Sequence, residues 1–113
     1  MDATISDGVT CYTISSIANE TATLTPITTG TLPAHTGVII NATPNTQYTF
    51  RYKNSYGGSE GISNLLEGSF NDTWISGGGY VLSIQKGEVG LYKAQEEEDG
   101  TFLNNANKAY LPA

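Results

Sequence analysis

The chain has 113 residues, 38% of them hydrophobic and only 14% charged, which is enough for one domain with its own core and too apolar for a disordered tail. Thr, Asn, Ser and Gly stand where a helical protein carries Lys, Glu, Arg and Ala, so the composition argues for strands and tight turns. A formal charge of −6 opposes binding to nucleic acid or to an anionic membrane surface, both of which call for clustered cations.

In chain order, Val9 to Ser15 alternates and reads as a strand, with Thr21 to Ile27 its partner after a hairpin-length link, Ser16 to Glu20. Pro26 belongs at a strand end or sheet edge, since it cannot donate to a ladder. After a loop marked by Gly30 and Pro33, the run Val38-Ile39-Ile40 fits a strand buried on both faces. Tyr48, Phe50 and Tyr52 share one face of an alternating stretch whose other face is polar, which predicts core packing. Residues 54–61 form a Gly/Ser-rich loop, and Asn64-Leu65-Leu66 is too short for a stable helix of its own, leaving one helical turn or an extended lip. Tyr80 to Gln85 and Glu88 to Ala94 make a hairpin across Lys86-Gly87. Glu96 to Asp99 is a solvated acidic loop, because four adjacent acids repel one another. Lys108 to Leu111 is a last strand.

The two halves echo each other. Tyr12-Thr13-Ile14-Ser15 corresponds to Tyr80-Val81-Leu82-Ser83, Leu24 to Leu91, Gly30-Thr31-Leu32 to Gly100-Thr101-Phe102, and Val38-Ile39-Ile40 to Ala109-Tyr110-Leu111. Each half would be a hairpin, a loop and a returning strand, and two such halves would share a core. The expected fold is therefore all-β: a small antiparallel β-sandwich or partly open barrel of about eight short strands, built as pseudo-repeated halves and forming a single domain over 1–113.

Chemistry is sparse. Cys11 and His35 are the only residues of their types, so neither a disulfide nor a zinc site can be assembled within the chain. Cys11 lies in an alternating apolar strand and reads as a small core residue. His35 falls in a turn, with no nucleophile elbow to serve. Glu60, Glu67, Asp72 and Glu88 show no pairing of the kind glycoside cleavage needs. The glycine runs Gly57-Gly58 and Gly77-Gly78-Gly79 lack the Lys-Ser/Thr ending of a phosphate loop. No cofactor, metal or catalytic residue is expected. The remaining binding signal is aromatic: Trp74 and Tyr56 in polar surroundings, with Asn71 and Asp72 beside Trp74, are the candidate ligand residues, since sugar rings stack on exposed aromatic faces.

Several phrases in order carry a resemblance. They are Ile5-Ser6-Asp7-Gly8-Val9 with Tyr12, Leu24-Thr25-Pro26-Ile27, Leu32-Pro33-Ala34-His35-Thr36-Gly37-Val38-Ile39-Ile40, Asn64-Leu65-Leu66-Glu67-Gly68, Tyr80-Val81-Leu82, Gly90-Leu91-Tyr92-Lys93-Ala94 and Asn107-Lys108-Ala109-Tyr110-Leu111-Pro112-Ala113. Together the chain resembles a recurrent C-terminal β-module of secreted and cell-surface proteins of gut Bacteroidales, over nearly its whole length. Family members usually add a strand at each end, and the loop reading Leu103-Asn104-Asn105-Ala106 departs from the pattern. The resemblance implies a secreted or cell-surface location, neighbouring domains of a parent protein as partners, and a non-catalytic accessory or spacer role. It supplies no catalytic residues. The alternative is a carbohydrate-binding or adhesive module using exposed aromatics, with glycan as partner. No basic, apolar leader opens the sequence, so Met1 reads as an internal start in a longer chain. No nucleic-acid partner and no membrane insertion are expected.

Overall fold

A computed structural model describes residues 2–52 and 63–113. The described residues are all-β with no helix. The strands are β1 (Ala3–Thr4), β2 (Thr10–Ala18), β3 (Thr21–Pro26), β4 (Thr31–Leu32), β5 (Ile39–Asn41), β6 (Arg51–Tyr52), β7 (Glu67–Gly68), β8 (Thr73–Ile75), β9 (Gly79–Gln85), β10 (Glu88–Lys93), β11 (Phe102–Asn104) and β12 (Ala109–Pro112). These are twelve strands among the described residues against the expected eight or so: eight have three or more residues, and four are two-residue ladders. All pairings are antiparallel. The sheets run β4-β1-β6, β3-β2-β5, β11-β8 and β10-β9-β12-β7. Each is open, so the arrangement is of the sandwich type and not a closed barrel.

The chain divides into two compact units, Met1–Leu65 and Leu66–Ala113. Their internal plans repeat. In each, a hairpin (β2-β3, β9-β10) receives a returning strand (β5, β12) beside its first strand. In each, a strand before the hairpin (β1, β8) pairs with a strand after it (β4, β11). The registers agree ahead of the hairpin bulge that only the first unit carries. Tyr12 faces Pro26 and Ile39, and Tyr80 faces Lys93 and Leu111. Ile14 faces Leu24, and Leu82 faces Leu91. Just past the hairpin, Ile27 N–H donates to Cys11 O and Ala94 N–H to Gly79 O. The sequence echo is thus structural, with two adjustments: the ladders set Ile39, not Ile40, equivalent to Leu111, and Gly30-Thr31-Leu32 equivalent to Phe102-Leu103-Asn104, two residues on from the expected Gly100-Thr101-Phe102.

Turn chemistry repeats as well. The hairpins turn through Asn19-Glu20 and Lys86-Gly87, all four residues with positive φ, the two-residue turn whose twist suits paired strands. The first strand therefore runs to Ala18, beyond the expected end at Ser15. Both halves also contain an aspartate clamp. Asp2 Oδ1 accepts the Ala34 N–H at 2.9 Å and Asp72 Oδ1 accepts the Ala106 N–H at 2.8 Å. Next to each clamped alanine the chain turns through positive φ, at His35 (58°) and Asn107 (63°). Asp2 is buried whereas Asp72 is exposed. Removing a buried charged acceptor strands its donor, so Asp2→Ala is expected to lower stability by about 1.5–3 kcal/mol and Asp72→Ala by under about 1 kcal/mol. Urea melts of the two variants would check this, and an equal loss would remove the clamp of Asp2 from the account.

The N-terminal unit buries Ala3, Cys11, Thr13 and Ile14. Burial pushes the Cys11 thiol above its ordinary pKa, as suits a small core residue. A bulge between Ile14 and Ser16 interrupts the β2–β3 register. There the Ser15 hydroxyl reaches the Thr25 hydroxyl at 2.8 Å. In the C-terminal unit, Ala94, Phe102 and Tyr110 form the core with Ile75 and Val81 against them. The rings of Phe102 and Tyr110 meet edge to face, centroids 5.7 Å apart. Phe102 comes from the two-stranded sheet and Tyr110 from the four-stranded one, so this core lies between sheets. Gly79 admits them: a Cβ there would sit 3.0 Å from the Phe102 ring and 3.1 Å from Leu111 O.

Two expectations are corrected. Val38-Ile39-Ile40 is not a doubly buried strand: β5 is an edge strand and Ile40 is exposed. The alternation through Tyr48, Phe50 and Tyr52 yields only the short ladder Arg51–Tyr52, with Tyr52 80% exposed and Tyr48 and Phe50 half-buried. Before that ladder the Tyr48 hydroxyl accepts the Thr43 N–H, a turn contact in place of a strand pairing. Of the two forms open to Asn64-Leu65-Leu66, the structure takes the extended one, without a helical turn. The loop 54–61 lies outside the described residues.

Candidate functional site

Of the four sequence-predicted ligand residues, three can be placed. Trp74 is the central residue of β8, directly opposite Leu103 of β11. Directly opposed side chains in an antiparallel pair lie on one face. Trp74 is 57% exposed and Leu103 is exposed too, so the two present an apolar surface to solvent. Asp72 carries a structural duty, since its carboxylate clamps the Ala106 turn. Asn71 is exposed, and its carbonyl accepts the Thr73 hydroxyl at 2.8 Å in a local turn. The trio is thus one exposed indole beside an aspartate that braces a distant turn and an asparagine that accepts a local bond through its main-chain carbonyl. Tyr56 lies outside the described residues, as does Glu60.

Elsewhere the polar side chains hold backbone. Asn64 bridges β2 and the segment leading into β5, its Nδ2 donating to Gly37 O at 2.8 Å while its Oδ1 accepts the Ile14 N–H at 3.2 Å. Asn104, buried on β11, donates to Lys108 O and the Ser69 hydroxyl. In the acidic loop, Asp99 Oδ1 accepts the N–H and the hydroxyl of Thr101. Those bonds hold its carboxyl below the usual range. Glu97 closes the same loop through backbone bonds to Gly100 and Thr101, so the run is a solvated turn, as expected. The Tyr110 hydroxyl donates to Glu67 Oε2 at 3.2 Å. Burial first, and the Glu67 carboxylate second, raise its pKa. Among the described residues no three acids, histidines or cysteines converge as a metal set, and no helix is long and apolar enough to cross a membrane. His35 sits in an exposed turn.

The sequence reading missed one surface. On one face of the β9-β10 hairpin, Tyr80, Leu82, Ile84 and Val89 are all exposed, with Leu91 half-buried among them. The opposite face supplies Val81 to the core. The signal was available: Tyr80, Leu82 and Ile84 alternate, and a two-residue turn sets Val89 against Ile84 and Leu91 against Leu82. Both faces being apolar, composition alone does not say which one turns inward.

No family model, no curated protein and no solved structure matches the chain.

Proposed function

We propose that this chain is a non-catalytic accessory module of a larger secreted or cell-surface protein, serving to fold independently and to position the domain beside it. The observation that supports this reading most is how the polar side chains are used. Asp2, Asp72, Asn64, Asn104 and Asp99 each bond to backbone groups that shape turns and strand junctions. They brace a repeated scaffold. The extracellular setting comes from the family resemblance, which also supports neighbouring domains as partners.

A carbohydrate-binding or adhesive role is the second reading, favoured by one observation: Trp74 is exposed beside an exposed Leu103. A screen of the purified chain against host and plant glycans separates the two. The accessory reading expects no saturable binding and a cooperative thermal melt. Saturable binding that falls at least tenfold in Trp74→Ala, with circular dichroism unchanged, would replace it with the glycan-binding reading, since tenfold corresponds to about 1.4 kcal/mol, a loss that only a side chain in contact with the ligand accounts for when the fold is intact.

A further inference from the structure

We propose that the open edge of β9, from Leu82 to Gln85, takes up an extended peptide segment carrying an Asn followed by an apolar residue. The internal repeat shows what covers this position in the other unit. There, β5 pairs with β2 only over Thr10–Tyr12. Beyond Tyr12 the next outward-facing residue, Ile14, is met by residues 63–65. Its N–H donates to Asn64 Oδ1, and its carbonyl accepts the Leu65 N–H at 2.8 Å. Asn64 Nδ2 reaches across to Gly37 O, and the Thr13 hydroxyl donates to Ser63 O. The Asn side chain acts as a substitute peptide group where two strands diverge. Ile14 is 0% exposed.

In the C-terminal unit the same geometry stands open. β12 pairs with β9 only at Gly79 and Tyr80. From Val81 to Gln85, β9 has β10 on one side and no described strand on the other. Leu82 is the counterpart of Ile14, and Ala109 of Gly37. The two-residue turn aims the backbone groups of Gln85, Ser83 and Val81 at β10, so those of Leu82 and Ile84 point to the open side. Leu82 is 50% exposed, and Ile84 and Val89 beside it are exposed further. Natural edges are blunted by Lys, Pro or bulges. The stretch Leu82-Ser83-Ile84-Gln85 has no Lys or Pro, and its pairing with β10 runs without a bulge. Backbone pairing at such an edge gives affinity, and pockets for alternate side chains give specificity. The proposal goes beyond the accessory reading, because it assigns the edge a peptide partner distinct from a second copy of this chain.

The test is a fluorescent peptide, Ser-Asn-Leu-Leu-Glu-Gly, titrated into the full chain, with amide hydrogen exchange read residue by residue. The expected result is saturable binding with slowed exchange at Leu82 and Ile84. The Asn→Ala peptide is expected to bind about tenfold more weakly, because it leaves strand groups unpaired. Leu82→Lys and, as a second variant, Ile84→Lys should each abolish binding while keeping the native circular dichroism. No saturable binding at millimolar peptide would overturn the proposal. So would protection at Ile14 in place of Leu82, meaning that the peptide merely displaces residues 63–65. Self-association that Leu82→Lys abolishes, with no response to peptide, would assign the edge to a second copy and overturn it equally.

Discussion

Phe102→Ala is expected to destabilise the C-terminal unit by about 3–5 kcal/mol, the usual cost of deleting a core aromatic. Phe102 is buried between the two sheets of that unit, edge to face with Tyr110 and in one core cluster with Ala94, against which Ile75 and Val81 pack. Its ring also lies where Gly79 leaves room, so truncation opens a gap that neighbouring backbone cannot fill. Phe102→Leu should recover a substantial part of the loss by keeping most of the volume. Trp74 lies on the strand paired with β11 and reports on this unit, so tryptophan fluorescence through a urea titration is the measurement. A loss under about 1 kcal/mol for the Ala variant would mean that the core is not centred on Phe102.

Ile14→Ala and Leu82→Ala occupy the same place in the two repeats and are expected to differ severalfold. Ile14 is fully buried where β2, β3 and residues 63–65 meet, and its loss should cost about 2–5 kcal/mol. Leu82 lies at the open edge, half in solvent, and its loss should cost about 1 kcal/mol or less. Chemical melts of both variants followed by far-ultraviolet circular dichroism decide it. Equal losses would mean that Leu82 is covered in solution, which would also contradict an edge available for a docking strand.

Much of this architecture was legible in the residues. The Tyr12 and Tyr80 phrases, the Lys86-Gly87 turn and the correspondence of Leu24 with Leu91 led to the repeated hairpins, because alternation and turn chemistry act over a few residues. The aspartate clamps were not legible. Asp2 and Ala34 lie 32 residues apart, and Asp72 and Ala106 lie 34 apart. Only the closed fold brings such pairs together. The candidate site was read in part. Trp74 is exposed, as a ligand platform requires, while Asp72 proved to brace a turn. An aspartate reads the same in sequence whether it meets a ligand or an amide.

The sequence by itself determined the class: strands in place of helices, an acidic balance, and a hairpin closed across Lys86-Gly87, where Gly tolerates positive φ. These follow from side-chain branching, charge and local backbone preference, which each residue carries wherever it stands. Tertiary structure decided which apolar face is covered. Ile14 and Leu82 belong to matching phrases, yet one is sealed and the other open. The difference arises from residues 63–65, whose Asn64 reaches fifty positions back to Ile14. Burial depends on what arrives from a distance, and local pattern carries no record of it.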